Sequence, residues 1–319
     1  MLLSCSGDGK SRLHVDVSKV NIEDIKVKRY GKDLFAVDPD NIKKGLDALS
    51  EKYYFFLGGN IDDTLNLIQI KSYITDPYLK EIFSASMKKY PELNELNENL
   101  TVAFRHFKYY FPDQQIPSVY SYISGLDFEH PLRLIDTVMI IALDMYLGKD
   151  AKFYKQIGLP VYKTTYLDEA YITPDCMKEI AREKISFDVS GKTLLEQMIY
   201  HGKILYFSDA MLPDLPDETK IKYTTDQLKW CQQNESIVWS FFIDQQLLYS
   251  KDLAAISKFI NDGPFTAGLS KESPARLGHW IGWQIVRAYM GNNDLSLKDL
   301  INQNDAQKIL LESSYKPGK

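Results

Sequence analysis

Apolar and polar residues alternate over positions 13–20 (LHVDVSKV) and again over 25–30 (IKVKRY). This period of two, carried on at 34–37, predicts a small strand-rich start. At residue 38 the period changes. Asp38, Pro39 and Asp40 form a helix start, and Ile42, Leu46, Leu49 and Tyr53 recur at helical spacing, which buries one face of that segment. Helical patterns follow over 62–73, 77–90 and 91–111, each opened by Asp or Pro. Two stretches rich in β-branched or aromatic residues, 117–123 (PSVYSYI) and 132–147, predict the central strands. From Asp168 the pattern is helical nearly to the end, over 168–185, 193–211, 225–249, 251–260, 274–290 and two short pieces beyond Leu295. The loops between are short, without low complexity or a fixed repeat. The expected fold class is α+β: a predominantly helical single domain with a small sheet over 13–319, preceded by a tether over 1–12.

Composition narrows the function classes. The chain has 319 residues and 45% hydrophobic content, enough for a sizeable core. Its 38 basic and 43 acidic residues give a net charge of −5. With no block of five like charges there is no electrostatic footprint for nucleic acid, which is not an expected partner. The strongest apolar stretch, 137–147 (TVMIIALDMYL), is interrupted by Asp144 and is too short to span a bilayer. Three cysteines, Cys5, Cys176 and Cys231, allow neither a multi-bridge framework nor a CxxC pair for zinc.

The opening residues give Cys5 a candidate role. Leu2, Leu3, Ser4 and Cys5 fit the form of a lipoprotein signal, in which the thiol after the cleavage point receives a diacylglycerol. A full signal needs a charged start and an apolar stretch of roughly 7 to 15 residues, so this reading places the recorded start inside the signal. The alternative is an ordinary exposed thiol. If Cys5 is lipidated, each buried methylene contributes about 0.8 kcal/mol of membrane binding, and several chains make the anchor effectively permanent.

Candidate chemistry concentrates in three stretches. The helix over 193–214 (TLLEQMIYHGKILYFSDAMLPD) holds Glu196, His201, Lys203 and Asp209; Glu196 and Lys203 share a face, as a solvated charge pair does. His201 is either a general base or a satisfied structural histidine. Over 273–293 (SPARLGHWIGWQIVRAYMGNN), Ser273 and Pro274 read as the helix start and Gly291 with Asn292 as its stop. Gly278 and Gly282, one turn apart, allow another backbone to approach closely. Arg276, Trp280, Trp283 and Arg287 fall at i, i+4, i+7 and i+11. They line a pocket for an anionic or extended ligand, or they belong to a buried helix whose arginines pair with core carboxylates. Asp144, inside IIALDMYLG, must be paired, hydrogen-bonded or protonated; a functional role and a salt bridge to one of those arginines are both open. No HExxH, GxSxG or glycine-rich phosphate loop occurs, so no catalytic residue, metal or cofactor is assigned.

The stretches ALDMYLGKD (143–150), GKILYFSDAMLPD (202–214) and SPARLGHWIGWQIVRAYM (273–290), together with FFLGGNI (55–61) and the lipobox-like start, resemble the gliding motility lipoprotein GldB family of Bacteroidetes over nearly the whole chain. The resemblance implies a lipid-anchored, periplasm-facing cell-envelope protein. It also implies an organisation similar to a group of predicted zinc peptidases that carry HExxH, a degenerate zincin-like fold. The segment that would hold the motif reads DEAYITPDCMKEIARE, without histidine, and points to a scaffold rather than a peptidase. Two readings follow. In the first, the protein binds other envelope components of a motility or secretion assembly, or a peptide-like ligand beside the Arg/Trp helix. In the second, it is a divergent hydrolase using Asp144, His201 and residues of the last long helix.

Overall fold

The structure is a computed structural model that describes residues 11–59 and 61–318. Among these residues it contains sixteen α-helices and a three-stranded sheet, the predominantly helical α+β architecture that the residue pattern predicts. No helix among the described residues is long and apolar enough to cross a membrane. The chain divides into two compact units. Among the described residues, one comprises 11–22, Val102–Gln114 and 174–318; the other comprises Glu23–Thr101 and Gln115–Thr173.

The second of these units holds the sheet, ordered β1-β3-β2, with β1 (Ser118–Tyr122), β2 (Leu132–Ile135) and β3 (Val138–Ala142). The central β3 pairs parallel with β1 (Ser118 opposite Val138) and antiparallel with β2 (Leu132 opposite Ile141). The stretch 132–147 is therefore a hairpin and not one strand. Asp136 enters the left-handed region (φ 51°) and turns the chain after Ile135, and residues 143–145 close into a 3-10 turn. The alternating start does not form strands either. The Ile25 N–H donates to Thr101 Oγ1 and the Val27 N–H to Asn97 Oδ1, so side chains of a helix satisfy that backbone. Only Lys28 reaches the sheet, as an isolated bridge beside Tyr120, and residues 34–37 run through the end of the helix Tyr30–Phe35. Leu34, Leu46, Tyr53, Leu57, Ile74 and Tyr120 form this unit's apolar cluster. Leu46 and Tyr53 lie on the face predicted from the i, i+4 spacing, and Asp38 accepts from the Asp40 N–H at the predicted helix start.

The other unit contains only helices among its described residues. Its centre is the helix Leu194–Met211, opened by a reciprocal capping box between Thr193 and Glu196. Fifteen of its eighteen residues are buried, so it is apolar nearly all round, as a central helix must be. It crosses the helix Leu277–Asn292 at two glycines. A Cβ on Gly282 would stand 1.8 Å from the Met198 carbonyl oxygen, and one on Gly202 would stand 2.3 Å from the Gly282 carbonyl oxygen. Only glycine permits backbones this close. The second helix starts later than Ser273 and Pro274 suggest, because Arg276 takes a left-handed conformation (φ 59°) at its N-cap. At its other end Arg12 donates to the Met290 and Asn293 carbonyls and pairs with Asp294 at 2.9 Å, so the chain is tied to this unit from Arg12 onward.

Candidate functional site

The glycine crossing brings the Trp/Arg stripe onto a carboxylate. Asp209 Oδ2 accepts from Trp283 Nε1 and Arg287 Nε, each at 2.8 Å, while Oδ1 accepts from Arg287 Nη2 at 2.8 Å and Lys220 Nζ at 3.0 Å. Arg287 also grips Asp217 with two bonds of 2.8 and 3.1 Å, and its guanidinium lies 3.6 Å from the Trp283 ring centre. Two carboxylates thus balance two cations. The two carboxylates hold the guanidinium charged against the cost of its burial, while burial lowers the pKa of Lys220. Trp283 has no exposed surface, and Trp280 packs edge-on against it. Arg276 is turned away by its backbone: Nη2 donates to the Lys222 carbonyl at 2.8 Å and Nε lies 3.4 Å from Asp262. The four residues do not form one stripe, and the tryptophans with Arg287 serve the interior.

The same crossing places His201 against His279, seventy-eight residues away in sequence. Their rings stack 3.7 Å apart at 12°. Tyr200 meets His201 edge-on and stacks in turn on Phe187 at 4.3 Å, which makes a row of four rings. Burial, with Arg182 and Arg276 adding repulsion, pushes the His201 pKa down to about 3, and burial beside His201 lowers that of His279 as well. Burial favours the neutral form of both imidazoles, yet they do not fit a zinc site of the kind that HExxH peptidases carry. In parallel stacked rings the lone pairs run side by side instead of converging on one point. No three His, Cys, Asp or Glu residues gather as a ligand set among the described residues.

Asp144 lies in the sheet-bearing unit and is fully buried. Its partners are neutral: it accepts from the Ser124 N–H (2.8 Å), the Ser124 hydroxyl (2.9 Å) and the Leu126 N–H (2.8 Å). Gly125 and Leu126 both take positive φ, wrapping the loop around the carboxylate. Desolvation outweighs these bonds and raises its pKa. Hydrogen bonding, and not an arginine, is what satisfies this group.

Lys203 borders open space. Its Nζ donates to the Gln303 carbonyl and, at 3.3 Å, to the Ile301 carbonyl, capping the end of the helix Leu297–Asn302; burial brings its pKa down to about 8. Glu196 does not pair with it, being held by the Thr193 cap and by Lys192 at 3.1 Å. Beside Lys203 a cavity of about 250 Å³ is bounded by Phe187, Tyr200, Lys192, Gln303 and Asn304. A second, of about 330 Å³, shares Glu196, Asn304 and Ala306 with it and reaches Tyr249 and Lys251. Sequence reasoning assigns no role to Phe187, Tyr249 or Asn304, whose separation along the chain leaves no local signal. Cys5 lies outside the described residues, and Cys176 and Cys231 are buried free thiols.

No curated protein and no solved structure matches the chain. A family model described as "Gliding motility protein GldB" matches residues 10–317, nearly the whole length. The helix crossing that carries Gly202, Asp209, Gly282 and Arg287 and the Asp144 loop both lie within that span, and the chain belongs to the gliding motility protein GldB family.

Proposed function

We propose that this protein is a cell-envelope lipoprotein, held to a membrane through Cys5 and facing the periplasm, that works by binding within a motility or secretion assembly and not by catalysis. One observation supports the second half of this reading: both candidate carboxylates are already committed, and the candidate histidine is stacked and stripped of its basicity. Asp144 is enclosed by three neutral donors, Asp209 by Trp283, Arg287 and Lys220, and His201 is stacked on His279. A general acid or base needs an accessible proton position of suitable pKa; the two carboxylates have their oxygens engaged, and His201, its pKa pushed down to about 3 by burial, is a weak base near neutral pH. Open space borders Lys203, in one of two adjoining cavities.

Family membership supports the envelope setting. Between Cys5 and Arg12, where the chain is tied down, seven peptide units reach at most about 25 Å when extended. A lipid on Cys5 therefore keeps the end of the Leu277–Asn292 helix near the bilayer. Fractionation of host cells expressing the protein from its own locus, with the coding sequence upstream of Met1 intact, and of cells carrying Cys5→Ala there, tests the anchor. The native protein should partition with membranes and incorporate labelled fatty acid, and the variant should do neither; label retained in the variant would refute the lipid reading. Cross-linking in intact cells should then yield envelope proteins only with the anchored form.

A further inference from the structure

Resting on the binding role proposed above, we infer that the groove over the first turns of the Leu194–Met211 helix takes a neutral oligosaccharide chain. Its floor runs from Thr193 to Lys203, about 15 Å of helix at roughly 1.5 Å per residue. The two cavities share Glu196, Asn304 and Ala306 in their linings and so adjoin, and together they have room for a chain that passes across these residues. Aromatic rings stand at both ends: the stacked pair Phe187 and Tyr200 at one, and Tyr249, 57% exposed, at the other. Flat apolar faces at the ends of a polar trough suit sugar rings, whose axial C–H groups pack on aromatic faces while their rims carry hydroxyls.

The middle of the trough supplies the matching polar groups. Asn304 and Gln307 present amides that both donate and accept, as sugar hydroxyls do, while the Gln303 amide oxygen is taken by the Asp305 N–H at 3.0 Å. The charged lining balances: Asp188, Glu196 and Asp305 against Lys192, Lys203 and Lys251. Two of those lysines are spent, Lys192 on Glu196 and Lys203 on two backbone carbonyls, which argues against a phosphate or a carboxylate as the recognised group. An extended peptide commonly adds to a sheet edge, and this unit has no strand among its described residues.

Isothermal titration of the purified full chain with three neutral probes, the β-1,4-linked N-acetylglucosamine tetramer, cellotetraose and maltotetraose, tests the inference. Saturable binding of at least one at millimolar concentration is expected. Tyr249→Ala and Asn304→Ala, both at exposed positions, should each weaken it at least tenfold without moving the melting temperature, while Lys298→Ala, outside the groove, should leave it unchanged. Absence of binding to all three probes, binding indifferent to both groove substitutions, or tighter binding of a tetra-alanine peptide would each overturn it. If the sugars fail while the Cys5-dependent anchoring and cross-linking hold, the oligosaccharide inference falls and the envelope-binding reading stands. If the anchoring fails while the sugars bind, the reverse is true.

Discussion

Asp209 and Asp144 are both buried aspartates, one in each compact unit, and they are stabilised by opposite means. Asp209 sits in a charge-neutral network with Arg287, Lys220 and Asp217, drawn from three separate helices. Asp144 meets no cation and is held by a loop about twenty residues upstream, through two backbone N–H groups and one hydroxyl. The ionic solution requires that distant elements already be packed, and losing one partner strands a charge in a low-dielectric interior. The dipolar solution is nearly local, leaves the carboxyl free to neutralise, and so tolerates loss better. Helix packing and loop shape, respectively, are what each aspartate reports on.

The largest test removes the frame that assembles the ionic network. Gly282→Ala places a methyl group inside the Met198 carbonyl, and neither backbone can yield without parting the two helices. A loss beyond about 4 kcal/mol is expected, seen as a collapsed unfolding transition in urea. Next come the two aspartate sites compared directly. Arg287→Ala should cost about 3–5 kcal/mol, because Asp209 and Asp217 lose their shared partner. Asp144→Ala should cost about 2–3 kcal/mol, the penalty of leaving the Ser124 and Leu126 donors unpaired. Equal losses at the two sites would show that the contrast between ionic and dipolar burial has no energetic meaning here.

Acid should sharpen the same contrast at a smaller scale. The folded pKa of His201 is pushed down to about 3, below its unfolded value near 6.5. Between those values the unfolded chain holds the proton and the native state does not, so His201 makes stability fall as pH drops through that window. Asp144, with its pKa raised, acts with the opposite sign: in the interval just above its unfolded value the native state holds the proton, and lowering pH there favours folding. Urea titrations should show His201→Phe, which keeps a ring for stacking, losing less stability than the native chain by about 1.4 kcal/mol for each pH unit between 6 and 4. Parallel pH profiles would place the histidine outside the packed interior.

Much of the architecture is legible in the residues. Asp38 with Pro39 marks a helix start, the apolar pattern from 193 to 211 marks the central helix, and Gly278 with Gly282 announces a close backbone approach. The reading falters where a single dihedral decides the outcome. Arg276 in the left-handed region leaves the helical stripe, and Asp136 in the same region folds one apparent strand into a hairpin. It falters too where charge spacing suggests a pair that packing dissolves, as with Glu196 and Lys203, each of which finds a nearer partner.

Periodicity and helix-start chemistry by themselves determined where most of the helices lie, that the sheet is small, and that Gly278 and Gly282 leave room for a close backbone neighbour, because these are properties of residues a few positions apart. Only the tertiary structure decided that Asp209 is the carboxylate under Arg287, that His201 stacks on His279, and that Lys192 and Tyr249 border adjoining cavities that share Asn304. Those relations join residues tens of positions distant, and no local pattern fixes the crossing that brings them together.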